Sequence, residues 1–177
     1  MIDQDFWVFA YGSLIWQPGF AFEESVKARL TGYHRSLCLY SHVSRGTPET
    51  PGLVLGLARG GECFGFAYRV AEDHVDETLD ALRKREMIAP GYHEITHLVA
   101  LMDGSNRSVN ALCYVIDETS YKYAGGLRRE EMLFYIRQGV GSGGTNIEYV
   151  TSTLKHLHAA GIADEELEWV CRETASG

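Results

Sequence analysis

The stretch that most constrains the fold is residues 7–16, where an apolar and aromatic run leads directly into a Tyr-Gly-Ser turn. The run predicts a core strand, and Gly12 supplies the backbone freedom that an abrupt turn requires. The N–H groups of Gly12, Ser13 and Leu14 would then be free to bind a small anionic or carbonyl-bearing ligand. A turn that simply packs its aromatic side chains explains the same residues equally well.

The length and charge of the chain limit the classes of protein to which it can belong. With 177 residues, 45% of them hydrophobic, the chain suits a single domain over residues 1–177. The net charge of −8 disfavours nucleic acid and anionic membranes as partners. The N-terminal residues have neither a basic segment nor a long apolar run, so we expect no signal peptide, no membrane span and a cytoplasmic location.

The four cysteines, Cys38, Cys63, Cys113 and Cys171, lie far apart and form no CxxC pair. The first three lie within apolar stretches that resemble strands. We therefore expect reduced thiols in the core, rather than a metal cluster or a catalytic cysteine.

The order of the predicted elements indicates an α+β fold, in which strands come first and most helices come late. Residues 71–87 are the clearest helix, since acidic residues open it and basic residues end it. Gly60-Gly61 predicts the turn of a hairpin. The predicted strands are 33–40, 53–58, 63–70, 93–101 and 108–116, and the later helices are 128–137, one capped by Asn146 and a short one capped by Asp164.

Glu86 interrupts the apolar pattern of the helix at 71–87. Val75, Leu79 and Leu82 form one apolar stripe, and the next position on that face is Glu86. Apolar surroundings and the negative end of the helix dipole would both raise the pKa of this carboxyl group. Glu86 is therefore a candidate acid and base near neutral pH. An ion pair with a neighbouring arginine at the helix end is an equally good explanation.

Residues 93–97 match the HExxH signature of zinc hydrolases, but their surroundings favour a strand. The signature requires a helix, because only helical spacing brings both histidines to one ion with the glutamate as base. Here the motif follows Pro90-Gly91 and continues into an apolar run. In a strand, residues four apart are separated by about 13 Å, so a zinc site is disfavoured.

Residues 139–144 match the GxGxxG motif of dinucleotide-binding proteins, again in the wrong context. They follow a predicted helix rather than a strand, and no βαβ unit surrounds them. We interpret them as a loop between helices, whose free amides and the following helix N-terminus are a candidate anion site. Ser13 similarly lacks the GxSxG elbow of a hydrolase nucleophile.

Residues 8–20, with the sequence VFAYGSLIWQPGF, resemble the opening motif of the ChaC family of γ-glutamylcyclotransferases. The resemblance continues in family order over nearly the whole chain. Its further features are RGTPE at 45–49 with Pro51-Gly52, Arg85-Glu86, GYHE at 91–94, ALCYV at 111–115 and GSG at 141–143 before Asn146. The RGTPE loop is similar to that of the glutathione-specific ChaC branch.

This resemblance implies a γ-glutamylcyclotransferase-like fold with a mixed, barrel-like sheet and flanking helices. It also implies cleavage of glutathione to 5-oxoproline and cysteinylglycine, without a metal or a cofactor. The catalytic residue would be Glu86. The loop that holds the substrate would consist of Ala10, Tyr11, Gly12, Ser13 and Leu14.

Two further residues are candidates for substrate contact, and each has a plain structural alternative. Arg45 lies in the loop 44–52, where it is either a solvated charge or a bidentate partner for a carboxylate. Tyr114 lies on the strand 108–116, where it either offers its hydroxyl to a pocket or packs in the core.

The chain departs from the family pattern at Ala10, where glycine is usual, and at residues 87–90, which are additional. The second departure lies near the expected pocket rim and bears on substrate preference. Other γ-glutamyl amines or amino acids therefore remain alternative substrates, and a non-catalytic domain that binds γ-glutamyl ligands is a third possibility. The sequence does not indicate an oligomeric state.

Overall fold

The computed structural model describes residues 5–87 and 90–175. By their internal contacts, these residues divide into two compact units. The first unit contains the described residues of Met1–Arg35 and Leu57–Asp117, and the second contains those of Ser36–Gly56 and Glu118–Gly177. A single domain over residues 1–177 stays a prediction.

The elements confirm the predicted α+β class. None of the helices in the described residues is long and apolar enough to cross a membrane. The strands are β1 (Phe6–Ala10), β2 (Glu24–Ser41), β3 (Gly52–Val70), β4 (Tyr92–Leu101), β5 (Ser108–Ile116), β6 (Val140–Gly141) and β7 (Gly144–Thr145). The helices are α1 (Val75–Glu86), α2 (Arg129–Gln138), α3 (Asn146–Ala159) and α4 (Glu165–Ala175), with short 3-10 segments at Ser13–Ile15 and Glu72–His74.

Five strands close into a barrel in the order β1-β3-β2-β4-β5. Strand β1 runs antiparallel to the end of β3 and parallel to β5, with Trp7 opposite Ala111. Strands β4 and β5 are antiparallel, and their register places Glu94 opposite Tyr114. Because one parallel pair occurs among antiparallel pairs, the sheet is mixed, and the predicted barrel-like sheet is confirmed.

Strand β1 is buried on both faces. Trp7 and Phe9 pack among side chains from all five barrel strands, while Val8 lies in a second cluster with Leu82 of α1. Side chains alternate between the faces of a strand, so the first cluster fills the barrel and the second lies between the barrel and α1. Tyr114 of β5 belongs to this second, helix-covered layer.

The hairpin predicted at Gly60-Gly61 is wrong, because β3 continues through both residues. Their φ angles are 96° and 71°, a conformation that glycine adopts without steric cost. Two such residues permit a local irregularity in a strand without a reversal of the chain. Strand β2 is also longer than predicted, since it begins at Glu24 rather than at residue 33.

The glycine-rich residues 139–144 contain β6 and the first residue of β7, which together form a small hairpin in the second unit. The N–H groups of Ser142 and Gly143 donate to the carbonyls of Val43 and Ser44, at 2.9 and 2.8 Å. A Cβ atom on Gly141 would lie 2.3 Å from the Val43 carbonyl oxygen. These residues therefore allow close packing of two loops. The N–H groups of Ser142 and Gly143, which lie in the candidate anion loop, already have acceptors.

Asn146 was expected to cap helix α3 but is its first helical residue. Thr145 is the N-cap, and its hydroxyl accepts from the N–H of Glu148 at 3.1 Å. The Asn146 side chain is fully buried and pairs with the backbone of Leu53, accepting at 2.7 Å and donating at 2.8 Å. It thereby satisfies one donor and one acceptor of β3 in the manner of a neighbouring strand.

Gly65 of β3 lies against the end of β1, and we expect its replacement by alanine to destabilise the barrel. A Cβ atom there would lie 2.1 Å from the Ala10 carbonyl oxygen, a contact that only backbone movement can relieve. Gly65→Ala should lower the free energy of unfolding in urea by about 1–3 kcal/mol. Arg59→Ala, at an exposed position of the same strand, is the control and should change it by less than about 0.5 kcal/mol. Equal losses would contradict the steric explanation.

Candidate active site

Glu86 is the last residue of α1, and only 17% of its side chain is exposed. Leu82, one turn earlier, is buried in the layer between α1 and the barrel, so the helix directs Glu86 toward that layer. Burial raises the pKa of Glu86 above its ordinary value of 4.5, and the positive charge of Arg85 lowers it. The structure therefore shows both the largely buried carboxyl group and the arginine neighbour that the sequence suggests, and the acid and base role of Glu86 stays a prediction.

Arg85 connects Glu86 to the turn that follows β1. Its Nε lies 3.6 Å from Oε1 of Glu86. Its Nη1 donates to the carbonyl of Gln17 at 2.7 Å, and its Nη2 donates to the hydroxyl of Ser13. One guanidinium group thus holds the candidate acid and base beside the candidate substrate-binding turn.

That turn is one short 3-10 segment, Ser13–Ile15, closed by the N–H of Ile15 on the carbonyl of Gly12 at 2.9 Å. The N–H groups of Gly12, Ser13 and Leu14 have no acceptor within residues 5–87 and 90–175. The first N–H groups of any helical turn lack a partner within the helix. The turn therefore has hydrogen-bond donors to spare, as its sequence suggests, and their binding of a ligand stays a prediction.

Arg35 holds the start of this turn, a role that the sequence does not reveal. The residue is buried, and its Nε donates to the carbonyl of Tyr11 at 2.6 Å. Its Nη2 donates to the carbonyl of Phe64 at 2.5 Å. An arginine in a predicted strand is usually assigned to the exposed face, so no local signal identifies this contact.

Tyr114 is buried in the helix-covered layer and donates its hydroxyl hydrogen to Oε2 of Glu94 at 2.9 Å. Glu94 also accepts two hydrogen bonds from Arg83 of α1, at 3.1 and 2.8 Å, and these lower its pKa. Burial, the hydrogen bond to Glu94 and the charges of Glu94 and Glu86 raise the pKa of Tyr114. Tyr114 is therefore both a core residue and an electrostatic neighbour of Glu86.

The first unit thus brings Glu86 and Tyr114 to one layer and links Glu86 to the turn, whereas Arg45 belongs to the second unit. The side chain of Arg45 is engaged there. Its Nη1 donates to the carbonyl of Thr145 at 3.2 Å, and its guanidinium lies 5.5 Å from the centre of the Tyr149 ring. Arg45 is therefore more than a solvated charge, and its contact with substrate stays a prediction.

The HExxH residues lie on strand β4, as their context predicts. His93 pairs with Asp117 at 3.3 Å, and Nδ1 of His97 lies 2.9 Å from the carbonyl oxygen of Leu98. In an extended strand the two histidines are too far apart to share an ion. Among the described residues, no three histidine, cysteine, aspartate or glutamate side chains are grouped to hold a metal ion. The geometry disfavours the zinc interpretation.

The cysteines agree with the predicted reduced thiols. None of the four forms a disulfide with another described residue, and Cys38, Cys63 and Cys113 are buried. Burial raises the pKa of Cys38 and that of Cys113 to about 12. Neither is therefore a thiolate at neutral pH, and neither suits a nucleophilic role.

A family model described as ChaC-like protein matches residues 6–175. The chain belongs to the ChaC-like family. The glutathione-specific γ-glutamylcyclotransferase of Escherichia coli (strain K12) is 37% identical over 161 residues, which cover 91% of this chain and 69% of that protein. The glutathione-specific γ-glutamylcyclotransferase 1 of Mus musculus is 32% identical over 169 residues, 93% of this chain and 76% of that protein.

A solved structure supports the ChaC-like fold independently. The crystal structure of a yeast γ-glutamylcyclotransferase specific to glutathione superposes with a TM-score of 0.84, covering 95% of this chain and 94% of that one. Their sequences are 21% identical, so this likeness concerns the fold. The resemblance drawn from the opening motif and the fold that it implies are both confirmed.

The raised pKa of Glu86 implies a cost in stability at neutral pH. The folded chain binds this proton more tightly than the unfolded chain, so the free energy of unfolding decreases as pH rises from about 4.5 through the raised pKa. Glu86→Gln removes that cost and should be more stable than the unaltered chain at pH 7, with the difference shrinking toward pH 4. Urea denaturation across that range measures it.

Asp76→Asn is the matched control for this experiment. It lies at an exposed position of the same helix, so its effect should stay small and constant with pH. A stabilisation by Glu86→Gln that is equal at pH 4 and pH 7 would contradict a buried, titrating carboxylate.

Proposed function

We propose that this chain is a γ-glutamylcyclotransferase that converts glutathione to 5-oxoproline and cysteinylglycine. The observation that carries the proposal is Glu86, a largely buried carboxyl group with a raised pKa. Arg85 links it to a turn whose N–H groups have no acceptor among the described residues. The glutathione-specific names of the relatives support the choice of substrate.

In the proposed reaction, the neutral α-amine nitrogen of the substrate attacks the γ-carbonyl carbon, and a new C–N bond closes a five-membered ring while the carbonyl oxygen becomes an oxyanion. Glu86 accepts the proton that the attacking nitrogen loses as this bond forms. Because the α-amine and the γ-carbonyl belong to one molecule, the enzyme brings them together by binding a folded conformer of the substrate. When the tetrahedral intermediate collapses, the bond to the cysteine nitrogen breaks, and protonated Glu86 returns the proton to that nitrogen.

The turn after β1 provides hydrogen-bond donors for this reaction. The N–H groups of Gly12, Ser13 and Leu14 suit either the glutamyl carboxylate or the oxyanion that develops on the γ-carbonyl. Ala10 and Tyr11 precede them, and Arg35 fixes the carbonyl of Tyr11. We include Ala10, Tyr11, Gly12, Ser13, Leu14 and Tyr114 of the first unit in the proposed substrate site. A substrate contact of Arg45, which belongs to the second unit, stays a separate proposal.

Other γ-glutamyl amines or amino acids are the alternative substrates, and a non-catalytic γ-glutamyl-binding domain is the alternative function. The additional residues 87–90 bear on this choice, but Ile88 and Ala89 lie outside the described residues. We also propose a cytoplasmic location. Four cysteines that form no disulfide within the described residues suit a reducing compartment, where disulfides are rare.

We expect the purified chain to release 5-oxoproline and cysteinylglycine from glutathione, measured by mass spectrometry. Glu86→Gln should reduce turnover by at least about 10²-fold, because proton transfer loses its acid and base. Glu62→Gln, at an exposed position of β3, is the control and should retain full activity.

Each alternative predicts a different result in the same assay. Turnover of other γ-glutamyl compounds but not of glutathione would indicate a sister activity. Binding of glutathione without product would indicate a binding domain. Undiminished turnover by Glu86→Gln would disprove the role assigned to that residue.

The positive charge of Arg85 should affect the pH at which kcat/KM falls on the acidic side of its pH profile. Glu86 must be ionised to accept a proton, and its raised pKa places the limb of kcat/KM above pH 4.5. Arg85 lowers that pKa, so Arg85→Gln should move the limb to higher pH, while Arg85→Lys should move it less. A shift to lower pH in Arg85→Gln would contradict this arrangement.

A further inference from the structure

The hydroxyl of Tyr114 has a fixed hydrogen-bond polarity. A phenol carries one hydrogen, and that hydrogen is directed at Oε2 of Glu94, 2.9 Å away. Strands β4 and β5 place the two residues directly opposite each other, so the contact is built into the register of the hairpin. Only the lone pairs of the Tyr114 oxygen remain available to a ligand.

Glu94 is held in its acceptor form by Arg83. Two guanidinium nitrogens bond the two carboxylate oxygens, at 3.1 and 2.8 Å. An ionised carboxylate has no hydrogen to donate, so it cannot reverse the bond to Tyr114. Arg83 lies on α1 three residues before Glu86, which ties the Tyr114 contact to the helix that carries the candidate acid and base.

On the basis of the proposed function, we propose that Arg83 and Glu94 are positioning residues that make the Tyr114 hydroxyl an acceptor for the α-amino group of the substrate. The amino group would then meet two acceptors, the carboxylate of Glu86 and the oxygen of Tyr114. Glu86 takes a proton from it, and Tyr114 holds a second N–H. These two contacts orient the nitrogen lone pair toward the γ-carbonyl carbon.

The charges around Tyr114 favour an amino group over a carboxylate or an oxyanion at this point. Glu86 and Glu94 act on the phenol as negative neighbours, and Arg83 acts as a positive one. The positive charge of Arg83 is balanced by the carboxylate of Glu94, to which it donates two hydrogen bonds. The guanidinium of Arg85 is directed at Ser13. The Tyr114 side of the layer therefore attracts cations, and the turn side offers donors to anions.

The test compares glutathione with its des-amino analogue, in which a glutaryl group replaces the glutamyl group. The analogue cannot cyclise, and it is assayed as a competitive inhibitor. Tyr114→Phe should raise KM for glutathione and lower kcat/KM by about tenfold or more, since one hydrogen bond to a charged group is lost. The Ki of the analogue should change by less than about twofold, because it has no amino group to bind.

A double-mutant cycle tests whether Glu94 acts through Tyr114. As a single substitution, Glu94→Leu should lower kcat/KM. In a chain that already carries Tyr114→Phe, it should cause little further loss of kcat/KM. Glu94→Gln retains an acceptor oxygen and should lose less than Glu94→Leu. The control is Asp103→Asn, which breaks a carboxylate–arginine pair with Arg107 (3.2 Å) between β4 and β5 and should leave kcat/KM unchanged.

Each remaining outcome contradicts a specific part of the proposal. Equal losses for glutathione and the analogue would show that Tyr114 serves the carboxylate or the backbone of the substrate instead. Additive effects of the two substitutions would remove Glu94 as a positioning residue. Absence of product from the unaltered chain would overturn the proposed function and this role with it.

Discussion

The site depends on the burial of one carboxyl group. Glu86 occupies the last position of the apolar stripe of α1, and the loss of water around it opposes ionisation. A single arginine at 3.6 Å partly offsets this effect. Glu94, eight residues later, has the opposite environment, because two hydrogen bonds from Arg83 lower its pKa. Opposite pKa shifts in these two acids fit the separate roles proposed for them, since the pKa of Glu86 is raised and that of Glu94 is lowered.

The barrel provides a rigid support for Glu86 and Glu94. Strand β1 is buried on both faces, so neither its position nor its twist can change without disturbing a packed layer. Three contacts hold the turn that follows β1. Arg35 donates to the carbonyl of Tyr11, and Arg85 donates to the hydroxyl of Ser13. Gly65 packs closely against the carbonyl of Ala10. A site on the end of a core strand is therefore fixed to a tolerance that a free loop does not reach.

The sequence predicts the parts of this arrangement that follow from local patterns. The core strand and the turn are evident from residues 7–16, and Glu86 is evident because it breaks a helical stripe. The pair of Arg83 and Glu94 is not evident, since it requires both the position of α1 on the barrel and the register of β4. The burial of Arg35 is hidden for the same reason. The prediction of a hairpin at Gly60-Gly61 was wrong because consecutive glycines permit either a chain reversal or an irregular strand. Pairing with strands distant in sequence decides between the two.

The HExxH residues illustrate how the period of an element changes the chemistry of a motif. On a helix, the two histidines would converge, and the glutamate between them would act on a metal-bound water. On strand β4 the period is two, so His93 and His97 share one face and Glu94 lies on the other. That other face is the layer under α1, where Tyr114 stands directly opposite Glu94. The same glutamate that would serve a zinc ion in a helix therefore accepts a phenolic hydrogen in this sheet, and the register of one hairpin determines the difference.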